Sequence, residues 1–186
     1  MPIVINKDAL SIEQKAETEA KIQEEVTRYL KYTDKDELNF VLLRSFIYVE
    51  ELLNNINYKL HGIDTDRTML GKNIELFSLI KGTDTVDMSL KLLRDIKKSR
   101  NSIAHDLEYD ILSDIELITK FRKHYLDNYK ETGLIKISEL EDESKTMSTL
   151  GYKYLITMYF KDLIHGILYV KLGLDTIPNF ISYTKD

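Results

Sequence analysis

The chain contains no cysteine. Disulfides, thiol nucleophiles and cysteine-ligated zinc or iron–sulfur centres are thereby excluded, and the residue usage fits a reducing compartment. Only two prolines occur, Pro2 and Pro178, and the seven glycines are scattered rather than gathered into a phosphate-binding loop. So few breakers leave room for long uninterrupted helices. No apolar run reads as a membrane span: the most apolar stretch, Leu150 to Leu174, carries Lys153, Lys161, Asp162, His165 and Lys171. Met1 to Asp8 lacks a basic segment followed by a long apolar one, so no signal peptide is expected. Positive charge is also short, with 26 Lys and Arg against 31 Asp and Glu and a net charge of −5. That balance counts against an extended duplex-binding surface and leaves room for a small basic site. A soluble, cytoplasmic protein is the expectation.

The 186 residues, 43% hydrophobic and 31% charged, suffice for one globular domain with a core of its own. Hydrophobic spacing predicts an all-α architecture. Ser11 and Gln14 form a capping box for a charged helix from about Leu10 to Lys31. A stronger apolar pattern runs from Asp34 to Leu60 and stops at His61-Gly62. Asp66 is placed to cap a shorter helix carrying Met69, Leu70, Ile74, Phe77 and Ile80, which Lys81-Gly82-Thr83-Asp84 closes. A fourth helix is expected from near Thr85 to between His105 and Tyr109. Ser113 and Glu116 read as a second capping box, opening a fifth helix through Tyr129. Lys130 to Thr146 is polar, with Ile135 and Ile137 fitting a short strand or a loop. The last helix, about Ser148 to Leu172, is apolar on most sides and must be buried in the core or in a dimer interface.

The fourth helix holds the chemistry. Leu93, Ile96, Arg100, Ile103 and Leu107 recur at spacings of 3, 4, 3 and 4, a buried stripe in which a guanidinium replaces an apolar side chain. Burying that charge alone is costly, so Arg100 needs a carboxylate partner or a half-open cleft. Asn101 and His105 are four residues apart and share a helix face. Arg100 and His105 are five apart, about 140° round the helix, so one copy does not aim both at one point. Two copies about a two-fold axis can.

The segment Arg100-Asn101-Ser102-Ile103-Ala104-His105 resembles the Arg-x(4–6)-His motif of HEPN domains, helical bundles of about the size of the span 34–130. On that reading 1–186 is a single domain. Residues 34–130 are the HEPN-like core, 1–33 an extra N-terminal helical appendage, and 131–186 an extension with the long apolar helix. The resemblance implies an endoribonuclease active as a homodimer, with a composite interface site and no metal or other cofactor. It implies His105 as general acid or base, Arg100 on the scissile phosphate, and Asn101 as an orienting hydrogen-bond partner. Lys91, Arg94, Lys97 and Lys98 would hold flanking phosphates of the RNA. Toxin–antitoxin or anti-phage defence, with an antitoxin protein as partner, is the biological setting implied. Where toxins of this family carry a tyrosine two residues after the histidine, this chain has Leu107, and its nearest tyrosine is Tyr109. Asp106, Glu108 and Asp110 crowd the same end with negative charge.

Other residues read blandly. His61 ends a helix, His124 beside Arg122 and Lys123 is expected in solvent, and His165 is expected in the core or an interface. No histidines share metal-ligand spacing on one face. Glu50-Glu51 and Glu139 to Glu143 read as solvated acidic faces. The rival to the nuclease is a non-catalytic HEPN-like regulatory or interaction module, in which Arg100 and His105 fix the dimer or bind a nucleotide-like ligand.

Overall fold

A computed structural model describes residues 3–6, 9–34, 37–62, 70–82, 84–106, 108–129 and 149–183. Among these the chain is mainly helical. The helices are α1 (Ile12–Asp34), α2 (Leu38–His61), α3 (Leu70–Phe77), α4 (Asp84–His105), α5 (Ile115–Tyr129) and α6 (Thr149–Thr176). Asp66, Met69, Leu107, Ile135 and Ile137 lie outside the described residues. Among the described residues no helix is long and apolar enough to cross a membrane.

Local signals set the ends. Ser11 and Gln14 exchange reciprocal bonds: the Ser11 amide donates to Gln14 Oε1 (2.9 Å) and the Gln14 amide to Ser11 Oγ (3.1 Å). Gly62 takes φ of 63° and its amide closes on the Tyr58 carbonyl at 2.9 Å, ending α2 as a left-handed cap does.

The all-α expectation needs one amendment. Three short strands form a sheet in the order β2-β1-β3, with β1 (Ile3–Ile5) parallel to β2 (Ile80–Lys81) and antiparallel to β3 (Ile181–Tyr183). Ile80 therefore belongs to a strand, paired with Ile3, and not to the end of α3. The sheet joins the chain's two ends to the α3–α4 connection and buries Ile3, Ile5 and Ile80.

Helix α6 packs against α1, α2, α4 and α5. Its Leu155, Ile156, Tyr159, Phe160, Leu163, Ile164 and Ile167 are all essentially inaccessible. Rings of Phe121, Tyr159, Phe160 and Phe46 meet edge to face in series, with centroids 5.4, 4.9 and 5.5 Å apart. Tyr159 Oη donates to the Ser89 carbonyl (2.6 Å), tying α6 to α4. Near its end α6 passes so close to Phe180 that a Cβ on Gly173 would lie 2.2 Å from the ring. Gly173→Ala should therefore lower stability by about 1–3 kcal/mol through overpacking. The denaturant midpoint measures it, and an unchanged midpoint would show that Phe180 yields freely.

Candidate functional site

Helix α4 buries Leu93 and Ile96 completely, and Arg100 follows on the same stripe with 30% of its side chain exposed. Both ways of accommodating a guanidinium at a core position are present. Glu50 of α2, itself 22% exposed, sets Oε2 3.5 Å from Arg100 Nη2. The rest of the group faces a cavity of about 600 Å³ between α2, α3 and α4, walled by Glu50, Leu70, Gly71, Lys72, Glu75, Lys97, Arg100 and Asn101. Arg100 Nη1 donates to Asn101 Oδ1 (3.1 Å), while Nε is buried with no hydrogen-bond partner. Lys72 is paired with Glu75 (3.1 Å). Lys97 makes no ion pair among the described residues, and its ammonium passes over Gly71, 3.6 Å from where a Cβ would stand.

The cavity thus holds three cations against two carboxylates, one cation uncommitted and one only loosely paired. An anion with several oxygens suits it: guanidinium, ammonium and the Asn101 amide supply donors from two adjacent turns of one helix.

Of the residues singled out in the sequence, Arg100, Asn101 and Lys97 come together here. His105 does not. It is the last residue of α4, exposed, with no hydrogen bond or ion pair among the described residues. It stands about 7.5 Å further along the helix axis than Arg100. Lys91 and Arg94 are exposed and outside the cavity, and Lys98 borders a separate one of about 230 Å³ with Ser99, Tyr109 and Asp114.

Glu50 corrects the reading of Glu50-Glu51 as a solvated face. The signal was available: Glu50 lies four residues after Phe46 and three before Leu53, both fully buried. Lys72 and Glu75, which complete the wall, follow from no motif.

The loop after His105 is tied down through Asp114. Asp114 Oδ1 accepts the Leu117 amide (3.0 Å), and Oδ2 accepts Tyr109 Oη (2.5 Å) and Ser99 Oγ (3.1 Å). The helix α5 cap is therefore Asp114, not Ser113, whose Oγ donates to the Asp110 carbonyl at 2.7 Å. Asn39 of α2 holds the Tyr109 carbonyl at 3.1 Å. Burial pushes the Asp114 carboxyl up, but the bonds from Tyr109, Leu117 and Ser99 outweigh it and hold the group below its ordinary 3.8. Burial, and then the Asp114 carboxylate, push the Tyr109 hydroxyl up. Asp114→Ala should cost about 1–2 kcal/mol at neutral pH as a lost cap. Because the folded value is the depressed one, this difference shrinks as pH falls below 3.8. Denaturation of both proteins at pH 7 and pH 3 measures it, and a pH-independent difference sinks the attribution.

Two other histidine readings change. His124 is 11% exposed, against the Tyr159 ring (5.0 Å between centroids) and 3.5 Å from Asp162 Oδ2, because α6 covers it. Its neighbour Arg122 is buried too, 5.8 Å from the Tyr152 ring centroid. His165 lies at the surface, 37% exposed and 3.0 Å from Glu19 of α1. Comparison of the chain with protein-family models, curated proteins and solved structures finds no match.

Proposed function

We propose that this protein is a dimeric endoribonuclease of the HEPN type whose mechanism uses no metal. The observation that carries the reading is Arg100: a guanidinium on a core stripe, open to a cavity beside an uncommitted lysine. Such a group costs stability and suits a phosphodiester. In the proposed reaction His105 of one copy removes the 2′-OH proton, O2′ attacks phosphorus and the P–O5′ bond breaks. His105 of the second copy protonates the departing 5′ oxygen. Arg100 stabilises the charge gathering on the non-bridging oxygens, Asn101 orients the guanidinium, and Lys97 holds a flanking phosphate. The products are a 2′,3′-cyclic phosphate and a 5′-hydroxyl. A role in toxin–antitoxin or anti-phage defence, with an antitoxin as partner, rests on the family resemblance alone.

The test is incubation of the purified protein and of His105→Ala with total RNA in EDTA, with end-group analysis of the fragments. Cleavage by wild type alone, leaving cyclic phosphate ends, supports the reading; intact RNA with both proteins sinks it. One observation favours the rival. The Arg100–Glu50 pair ties α4 to α2, as a purely structural arginine would in a regulatory or interaction module. On that reading Arg100→Ala destabilises the fold and no RNA is cut.

A further inference from the structure

The cavity beside Arg100 is far larger than a phosphate needs. A phosphate takes about the space of a few waters at ~30 Å³ each. This cavity measures about 600 Å³, in the range of roughly 300–1,000 Å³ that encloses whole small molecules. Its walls also differ in kind. Helix α4 contributes Lys97, Arg100 and Asn101, whereas the first turn of α3 contributes Leu70 and Gly71. Lys97 and Arg100 are three residues apart, about 4.5 Å along α4 and about 60° round it.

Gly71 is the unexpected member. It is helical and has no positive φ, so its backbone does not call for glycine. Glycine also weakens a helix. What the missing side chain supplies is room. A Cβ at Gly71 would stand 3.6 Å from Lys97 Nζ, and a longer side chain would fill the space into which the ammonium reaches.

We propose that this cavity encloses one complete nucleotide, with its two phosphates on Arg100 and Lys97 and its base against Leu70 and Gly71. In the ribonuclease reading Arg100 and Lys97 hold the scissile and a flanking phosphate, and a single nucleoside joins two successive phosphates. The cations occupy the α4 wall, so that nucleoside turns to the α3 wall, where no side chain stands at position 71. Asn101 accepts from Arg100 through Oδ1, which leaves its Nδ2 donors for the base or sugar. Gly71 is thus a specificity residue for the base. A base held here is out of its stack, so an unpaired nucleotide enters at least cost. The identity of the polymer as RNA rests on the ribonuclease reading; occupation by a nucleotide does not require cleavage.

Calorimetric titration of the full chain tests it with three probes: adenosine 3′,5′-bisphosphate, uridine 3′,5′-bisphosphate and the bisphosphate of an abasic deoxyribose. None contains a phosphodiester, so none can be cut. Both nucleosides should bind about tenfold or more tighter than the abasic probe, as base packing on a protein wall does. Lys97→Ala should weaken all three by a similar factor. Gly71→Leu should cancel the preference for a base, whatever it does to affinity as a whole. Circular dichroism of each variant checks that the fold is kept, and the comparison of probes on wild type needs no variant. Equal affinity of wild type for all three probes, no binding of any, or a preference that survives Gly71→Leu overturns the proposal. If the preference is found while RNA stays intact, the nuclease reading falls and the nucleotide site stands. If RNA is cut and the preference is absent, the reverse holds.

Discussion

On the proposed ribonuclease reading, replacing His105 with alanine is expected to lower the rate of RNA cleavage by about two to four orders of magnitude, the usual worth of a positioned general acid or base. Stability should stay within about 0.5 kcal/mol of wild type, because the side chain is exposed and makes no hydrogen bond or ion pair among the described residues. This pairing of a large kinetic effect with a negligible thermodynamic one separates the two readings of α4. A structural histidine at a helix end would show the reverse, a small loss of stability and no change with RNA. Arg100 cannot discriminate so cleanly, since its removal also strands the half-buried Glu50 carboxylate. His105→Asn is a useful companion: it keeps a side chain able to hydrogen-bond and loses the ability to move a proton near neutrality. If His105→Ala cuts RNA as fast as wild type does, the proposed mechanism is wrong whatever the oligomeric state. Rates from single-turnover cleavage and midpoints from urea denaturation supply both halves of the comparison.

The helices were legible because each carries its own signal within a few residues. The Ser11–Gln14 box is read from two residues three apart, and Gly62 from its position after an apolar run. The sheet was not legible. Strands of two or three residues are too short to alternate, and Ile3 finds its partners at Ile80 and Tyr183, which no local pattern connects. The α5 cap moved by one residue for a tertiary reason. Asp114 also receives Tyr109 and Ser99, so its carboxylate is already fixed where the Leu117 amide needs it. At the site, periodicity exposed Arg100 as an anomaly and set out two ways to resolve it, a carboxylate or a cleft; both are present. The identity of Glu50 and the cavity wall from α3 depended on how three helices pack, which spacing along one helix does not contain. His124 shows the opposite failure. Two charged neighbours suggested solvent, yet α6 covers both it and Arg122.

Tyr159→Ala is expected to cost about 3–5 kcal/mol, as removal of a large buried ring does. Against a typical total of about 5–15 kcal/mol, that brings the protein close to unfolding. The ring is fully buried between Phe121 and Phe160, so no solvent contact compensates its loss. Tyr159→Phe keeps the ring and deletes only the bond to the Ser89 carbonyl, and should cost about 1 kcal/mol. The hydroxyl also makes stability depend on alkaline pH. Burial, and then the charge of Asp95, push it well above its ordinary 10.0, whereas in the unfolded chain it ionises near that value. Above pH 10 the unfolded state therefore binds fewer protons than the folded one, and stability falls as pH rises. Tyr29, buried against Ser45, adds to the same slope. Tyr159→Phe removes one of these contributions, so its deficit relative to wild type should narrow between pH 10 and pH 11. Urea midpoints across that range, with tyrosinate absorbance followed in parallel, decide it: a deficit that stays constant would mean that the Tyr159 hydroxyl ionises inside the folded core.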